Sequence, residues 1–249
     1  MQTFDHDREP ILSLRNVGVT YRRPSLLGRR SSYTALADVS FDLYHGESLA
    51  VIGRNGAGKS TLLKLLAGII RPDRGALRDR GLKAALLARQ VGFDGELTGR
   101  DNIVLSALLL GFDRAEIRAQ MADIIAFAEL GEHIDQPLST YSAGMRARLG
   151  FAVSARLEPD ILLIDEALGV GDAGFQAKST QLIEDRLASD RTVVLVTHSP
   201  QVVRRLCNRA VWIDNGMSRM EGEVDAVLNA YSAQYPPAVP RGGPASLAG

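Results

Sequence analysis

The chain has 249 residues, of which 45% are hydrophobic and 23% are charged, as is ordinary for a globular protein. Its 29 basic and 29 acidic residues balance, so the overall charge does not favour a nucleic-acid partner. No apolar stretch approaches the ~18 residues that span a bilayer, and the charged N-terminus has no apolar signal region. We therefore expect a cytosolic or peripheral protein whose single large domain covers residues 1–235.

The first part of the chain predicts an antiparallel edge layer of short strands. Residues 11–21 read ILSLRNVGVTY, and in VSFDL at 39–43 apolar and polar residues alternate, which is the period of a half-buried strand. Between them, Arg22 to Ser32 carries four arginines, a proline and a glycine without any periodicity. We expect this segment to be a basic loop, either without regular structure or with one short turn of helix.

A glycine-rich stretch, AVIGRNGAGKST, follows at Ala50 to Thr61. Glycines after an apolar strand let successive backbone N–H groups point inward and form a nest for an anion. The helix that follows directs the positive end of its dipole at the same place. The spacing fits G-x-x-x-x-G-K-[ST], in which the lysine reaches the terminal phosphates and the serine hydroxyl can ligate Mg²⁺. The predicted residues of this nucleoside triphosphate site are Gly53, Arg54, Asn55, Gly56, Ala57, Gly58, Lys59, Ser60 and Thr61.

The next segment, from about residue 92 to 158, predicts a helical insertion. Thr98 is followed three residues later by Asp101, which resembles a capping box, and Asp113 begins a second pattern of this kind. A third helix is predicted to start at Ser142, because apolar residues then recur at helical spacing.

Two near-continuous apolar runs, ILLI at 161–164 and TVVLV at 192–196, are typical of strands buried in a parallel sheet. The first run is followed by two acids. Asp165 can orient water on Mg²⁺, and Glu166 is the candidate general base that accepts a proton from an attacking water. His198 follows the second run, at the strand end where open α/β sheets place ligand contacts.

The end of the chain predicts a hairpin turning at Asp214 to Gly216, an amphipathic helix over 224–235, and a disordered Pro- and Gly-rich tail over 236–249. The predicted fold is therefore α/β, with a P-loop NTPase core containing a parallel sheet, an antiparallel β layer and a helical subdomain insertion.

A second anion-binding helix start is predicted in YSAGM, where Ser142, Ala143 and Gly144 open the third helix about twenty residues before the two acids. Either the helical insertion folds over the phosphate loop of the same chain, or two chains meet head to tail with the nucleotide between them. A third interpretation is that Ser142 is only a helix N-cap.

Taken in order, these motifs resemble those of the ATP-binding cassette ATPases, from about Leu12 to Tyr231. GRNGAGKST resembles the Walker A motif, YSAGM the signature motif, ILLIDE the Walker B motif, ALGVGD the D-loop ending at Asp172, and VTHS the switch region with His198. The YSAGM signature, together with GFDGELTGRDNI, DEALGVGDAGFQAKS and VLNAY, resembles one subfamily, the ATPase subunits of exporters of O-antigen, capsule, teichoic acid and related glycans. No carbohydrate-binding domain of the kind found in some members is expected in the tail.

The resemblance implies a homodimer that sandwiches two ATP molecules and drives separate membrane permease subunits from the cytoplasmic face of the inner membrane. The carried substrate would be a lipid-linked polysaccharide. Ser142, Ala143, Gly144 and Met145 would contact the γ-phosphate bound in the partner chain. Tyr21 matches the aromatic residue that stacks on adenine. In the family a glutamine contacts magnesium, and Gln90 lies near the position expected for it. Ser60 and Asp165 would be the other magnesium-site residues.

Three other interpretations are less consistent with the motifs. An importer or drug-exporter subunit would be expected to show Leu-Ser-Gly-Gly-Gln and a clear glutamine. A soluble cassette ATPase acting on DNA or ribosomes usually has long coiled-coil arms or two cassettes. A GTPase or small-molecule kinase offers no reason for YSAGM and His198, and the chain has no Asn-Lys-x-Asp guanine motif.

Overall fold

The structure, a computed structural model, describes residues 9–23, 31–87, 92–165 and 172–236. The strands are β1 Leu12–Arg23, β2 Ser31–Leu43, β3 Ser48–Ile52, β4 Arg74–Asp79, β5 Ala84–Leu86, β6 Ile161–Ile164, β7 Thr192–Val196, β8 Arg209–Asp214 and β9 Met217–Glu223. The α-helices are α1 Lys59–Leu66, α2 Gly99–Leu109, α3 Arg114–Ala128, α4 Ala143–Arg156, α5 Ala173–Leu187, α6 Pro200–Leu206 and α7 Val224–Gln234, and two short 3-10 helices span Gly131–Asp135 and Leu138–Thr140.

Within these described ranges the strands form one sheet in the order β4-β1-β2-β9-β8-β3-β7-β6-β5. Strands β8, β3, β7, β6 and β5 pair in parallel, whereas β4, β1 and β2 pair antiparallel. Every residue of β3, β6 and β7 is buried, because both faces of a parallel sheet are covered. The predicted fold class, a parallel α/β core with an antiparallel layer and helices, is confirmed.

The predicted limits of the loop, Arg22 and Ser32, are wrong at both ends. β1 continues through Arg23 and β2 begins at Ser31, so that Arg22 pairs with Ser32 and Arg23 with Ser31. Thr20 lies opposite Thr34 in this ladder, and their hydroxyl oxygens are 3.3 Å apart. A cross-strand pair of this kind stabilises the extended strands next to the predicted loop. The central residues of the basic loop, 24–30, lie outside the described residues.

Helices α2, α3 and α4 lie between β5 and β6 in the chain and begin at the predicted capping residues. Thr98 accepts a hydrogen bond from the Asp101 N–H, and Asp113 forms a complete capping box with Glu116. Aromatic packing joins α3 and α4 to α5: the rings of Phe127, Phe151 and Phe175 lie 5.6–6.0 Å apart between centroids. In the part of the chain that the structure describes, no helix combines the length and apolarity that crossing a membrane requires.

Strands β8 and β9 form the predicted hairpin. Asn215 and Gly216 have φ angles of 48° and 74°, as the tight turn requires. Strands β4 and β5 have no counterpart among the sequence predictions. β4 carries charged residues at both ends and half-exposed residues between them, and β5 has only three residues, so neither gives a hydrophobic period that sequence patterns can detect.

Candidate nucleotide-binding site

The predicted functional residues converge because three neighbouring parallel strands end at one edge of the sheet. The phosphate loop follows β3, Asp165 follows β6, and His198 comes two residues after β7. β7 pairs with β3 on one side and with β6 on the other. Their carboxyl ends therefore lie together, at the edge where ligands bind in open α/β sheets.

The phosphate loop over residues 53–58 depends on its glycines at two close approaches. Gly53 has a φ of 152°, and a Cβ at this position would collide with the carbonyl oxygen of Ile213. Gly58 has a φ of 106°, and a Cβ there would meet the carbonyl oxygen of Ala35 at 2.5 Å. An L side chain at either position would strain the backbone as well as collide. The loop is thus fixed between its neighbours in the shape that glycine alone accepts.

Helix α1 begins at the end of this loop with its positive end toward the site. Its N-cap residue, Gly58, has no side chain that could accept a hydrogen bond from the first-turn N–H groups. Lys59 is only 7% exposed, and its Nζ donates to the carbonyl oxygens of Gly53 at 2.7 Å and Arg54 at 3.0 Å. The ammonium group and the helix dipole therefore both favour an anion at this point.

The donor atoms for a divalent cation lie beside Lys59. Ser60 Oγ donates to Asp165 Oδ2 at 3.2 Å. Among the described residues, no group of three or more His, Cys, Asp or Glu side chains could hold a metal by itself. Mg²⁺ commonly uses one or two protein oxygens together with substrate phosphates and water. A hydroxyl and a carboxylate beside a phosphate nest fit that pattern.

A cavity of about 250 Å³ lies over these groups. Its lining residues are Tyr33, Asn55, Gly56, Gly58, Lys59, Ser60, Thr61, Asp165, Val196 and His198. Gly53, Arg54 and Ala57 belong to the same loop but are not among the described lining residues. The structure thus brings most of the predicted phosphate site, Asp165 and His198 to one cavity.

Two predicted site residues, Glu166 and Gln90, lie outside the described residues. Asp172 is described and is the N-cap of α5, where its Oδ1 accepts from the Phe175 N–H at 3.0 Å. That hydrogen bond is the main cause of the lowered pKa of the Asp172 carboxyl. Its Oδ2 lies 3.7 Å from Arg148 Nη1, so Asp172 also connects α5 to α4.

The signature residues lie at the start of α4. Ser142 Oγ accepts from the Met145 N–H at 3.1 Å and so caps the helix. Ser142, Ala143 and Gly144 are exposed, and Met145 is half-buried. In the described part of the chain, none of these four residues lines the cavity over the phosphate loop.

Sequence reasoning missed one aromatic residue of the site. The predicted adenine contact, Tyr21, is 37% exposed and is not among the described lining residues. Its cross-strand partner Tyr33 does line the cavity, and Tyr33 Oη donates to the Gly56 carbonyl oxygen at 3.3 Å. The alternation in YTALADVSF places Tyr33 on a strand, but only its pairing with Tyr21 indicates that it lies near the site.

Comparisons with known proteins agree with this geometry. Residues 36–169 match the profile of the family described as ABC transporter. The chain is 48% identical over 206 residues to the O-antigen export system ATP-binding protein RfbB of Klebsiella pneumoniae, covering 83% of each chain. It is 44% identical over 203 residues to the teichoic acids export ATP-binding protein TagH of Listeria innocua, covering 82% of this chain and 60% of that one.

A solved structure supports the fold. The dimeric, post-hydrolysis structure of an ATP-binding cassette bound to ADP and Pi has a TM-score of 0.65 at 23% identity, covering 86% of this chain and 98% of that one. The resemblance to the ATPase subunits of O-antigen and teichoic acid exporters, drawn from the motifs, is confirmed by the relatives. Since the family profile spans more than half of the chain and the Klebsiella relative covers most of it, this chain belongs to the ABC transporter family of ATP-binding proteins.

Proposed function

We propose that this chain binds and hydrolyses ATP to drive the export of a lipid-linked cell-envelope polysaccharide across the cytoplasmic membrane. Its relatives are named as O-antigen and teichoic acid export proteins. The main support for ATP binding and hydrolysis is that four predicted site residues line one cavity: Lys59, Ser60, Asp165 and His198.

In this proposal the loop N–H groups, the α1 dipole and Lys59 bind the β- and γ-phosphates. Ser60 and Asp165, with Gln90, hold Mg²⁺, which neutralises phosphate charge when it is bound. Glu166 follows Asp165 directly and accepts a proton from the attacking water. His198, at the end of β7, positions the γ-phosphate and that water. Catalysis of this kind depends mainly on positioning and on stabilisation of phosphate charge.

Tyr21 remains the proposed adenine contact, with Tyr33 beside it on β2. The two tyrosines are directly opposite each other in the β1–β2 ladder, and stacking of a base on such a ring contributes roughly 1–3 kcal/mol. Tyr33 also hydrogen-bonds the phosphate loop through Gly56. The pair therefore offers an aromatic surface that is continuous with the phosphate cavity.

The proposed active assembly is a homodimer. The exposed signature residues Ser142 to Met145 would meet the γ-phosphate of the second chain, and Asp172 would lie at the dimer contact. A head-to-tail pair provides this for both sites through one self-complementary interface. The related cassette of known structure is a dimer with ADP and Pi bound. We further propose one domain over residues 1–235, with a helical subdomain at about 92–158. Residues 237–249, most of the predicted tail, lie outside the described residues.

Separate integral-membrane permease subunits would supply the path for the glycan, and this chain would bind them at the cytoplasmic face of the membrane. No nucleic acid takes part in this scheme. The balanced charge of 29 basic and 29 acidic residues favours neither DNA nor RNA.

The experiment compares two lysines of the same helix. Lys59→Ala should abolish ATP hydrolysis and weaken ATP binding, because Lys59 lies inside the loop, whereas Lys64→Ala, in the last turn of α1, should leave both intact. Both variants are assayed as purified subunits and again after reconstitution with the permease, where glycan export is measured. Normal hydrolysis by Lys59→Ala would refute the nucleotide site. If the wild-type complex hydrolyses ATP normally but exports no glycan, the proposal that a lipid-linked polysaccharide is the substrate would be refuted.

A further inference from the structure

The side chain of Arg54 contacts the C-terminal end of the fold. Its guanidinium carbon lies 5.0 Å from the ring centroid of Tyr235, which directly follows α7. At that distance a guanidinium group over an aromatic face is attracted by the ring quadrupole. A residue of the phosphate loop is therefore held by one that is far away in sequence.

Tyr235 is itself held in place by a hydrogen bond. Its Oη donates to Asp214 Oδ1 at 3.0 Å, and Asp214 is only 8% exposed. The other carboxylate oxygen of Asp214 lies 3.6 Å from Arg219 Nε. The carboxylate thus connects the β8–β9 hairpin to the end of α7, and through the ring of Tyr235 to Arg54.

The same hairpin touches the phosphate loop at two further points. The N–H of Gly216 donates to the carbonyl oxygen of Ala57 at 3.0 Å. At the other end of the loop, Gly53 lies against the Ile213 carbonyl so closely that no Cβ would fit. The side chain of Arg54 is linked to the hairpin indirectly, through the ring of Tyr235 and its hydrogen bond to Asp214.

An aromatic cluster fixes the position of Tyr235. The rings of Trp212, Tyr231 and Tyr235 pack edge to face or tilted, with centroids 5.5–6.2 Å apart. Burial raises the pKa of Tyr231, and the positive charge of the nearby Arg54 opposes that rise. Arg54 therefore faces this cluster, which is formed by β8, α7 and the residue after α7.

We propose that Tyr235 is a positioning residue for ATP binding, which acts by holding Arg54 and with it the phosphate loop. The inference rests on the proposed nucleotide site, since Arg54 is one of its loop residues. Loss of the ring frees the Arg54 side chain and leaves the phosphate loop less ordered before ATP binds. The loop must then become ordered on binding, and this entropic cost lowers the affinity for ATP. The chemical step is untouched, because Tyr235 does not line the described part of the cavity.

The test separates KM from kcat in the full chain. Tyr235→Ala should raise the KM for ATP about 2- to 5-fold, the range expected from an exposed cation–π pair, with little change in kcat. Tyr235→Phe keeps the ring and loses only the hydroxyl, so it should restore most of the affinity. Because a merely structural tyrosine would change stability without changing KM, thermal unfolding of each variant is measured alongside.

A double-mutant cycle tests whether Tyr235 affects the KM for ATP through Arg54. If Tyr235 acts through Arg54, adding Tyr235→Ala to Arg54→Ala should change KM no further, whereas independent effects would multiply. The matched control is Tyr44→Ala, which removes another tyrosine under an arginine, Arg209, at 5.4 Å and at the opposite end of β3. This control should lower thermal stability without raising KM.

The outcomes are distinct from those of the proposed function. An unchanged KM in folded Tyr235→Ala, or multiplied effects in the double variant, would overturn the positioning role even though Lys59→Ala still abolishes hydrolysis. Normal hydrolysis by Lys59→Ala would instead remove the nucleotide site on which both proposals rest. A raised KM that is rescued by Tyr235→Phe and absent in Tyr44→Ala would support the inference.

Discussion

Helices α1 and α4 both begin where the sequence predicts phosphate binding, yet their first turns are built differently. α1 follows Gly58, which has a φ of 106° and offers no side chain to cap the helix. α4 follows Ser142, whose Oγ accepts the Met145 N–H at 3.1 Å. Lys59 is buried at the first start, whereas Ser142 is exposed at the second.

The two helix starts differ in which groups face a proposed phosphate. At α1 the loop, the lysine and the hydroxyl of Ser60 all come from one chain and face a cavity of about 250 Å³. At α4 the serine satisfies an N–H of its own helix, and the exposed turn does not line the cavity in the described chain. In our proposal the phosphate that α4 contacts is therefore the one bound by a second chain, and this is the geometric argument for a dimer.

Removing the proposed base at the first site should give the largest effect. Glu166→Gln should lower ATP turnover by roughly 10²- to 10⁴-fold, because positioned bases contribute that much, while leaving the phosphate loop able to bind ATP. Steady-state hydrolysis, ATP binding and mass in solution with ATP are measured, and a nucleotide-trapped dimer is expected. The control, Glu132→Gln, changes an exposed glutamate in the short 3-10 helix Gly131–Asp135 that follows α3.

Adding Ser142→Arg to Glu166→Gln tests whether the start of α4 takes part in the trapped dimer. If α4 contacts the nucleotide of the second chain, the trapped dimer should disappear. Wild-type turnover by Glu166→Gln alone would show that another group acts as the base.

Mixed dimers test whether the two helix starts belong to the same site. Lys59→Ala damages the α1 start, and Ser142→Arg damages the α4 start, so each variant alone should be inactive. In a mixed dimer with shared sites, both lesions fall in one site and the other remains intact, so hydrolysis should recover in part. Absence of recovery, with mixed dimers proven by differential tagging, would mean that the two helix starts do not meet across an interface.

Substitutions at Ser142 separate capping from phosphate binding. Ser142→Ala removes the cap and should cost about 0.5–2 kcal/mol of folding free energy. Ser142→Asp keeps an N-cap acceptor and should preserve stability, but its charge would face the phosphate of the second chain. Like charges in an interface cost several kcal/mol, so hydrolysis should fall roughly tenfold or more. If a stable Ser142→Asp variant kept full activity, Ser142 would be only the N-cap of α4 and would not contact a phosphate.

Much of the site could be predicted because its functional residues lie in short contiguous motifs that directly follow predicted strands. The stretch from Gly53 to Thr61, with Asp165 and His198, is recognisable in this way, and the strand order explains why these residues meet. Tyr33 was missed because its place at the cavity depends on the register of β1 against β2. The contact between Arg54 and Tyr235 depends on tertiary packing of the last helix, which no local period encodes.

The smallest expected effect concerns α5, whose start at Asp172 is capped by a charged side chain. The hydrogen bond from the Phe175 N–H, with Arg148 nearby, lowers the pKa of this carboxyl. A lowered pKa in the folded state means that the charged form stabilises the fold above the unfolded pKa, and that this stabilisation is lost as the pH falls through the folded pKa. An asparagine side chain does not titrate, so Asp172→Asn should lower the midpoint of thermal unfolding slightly at neutral pH.

The difference between wild type and Asp172→Asn should then shrink as the pH falls through the lowered pKa of the Asp172 carboxyl, because the stabilising charge is lost on protonation. Thermal unfolding is followed across this range for both proteins and for Asp113→Asn, which makes the same change at the capping residue of α3. Asp113 has Lys83 rather than Arg148 as its basic neighbour. If Arg148 joins α4 to α5 through Asp172, adding Arg148→Gln should reduce the effect of Asp172→Asn and leave that of Asp113→Asn unchanged. A pH-independent difference would mean that the hydrogen-bond geometry of the cap, and not its charge, holds the start of α5.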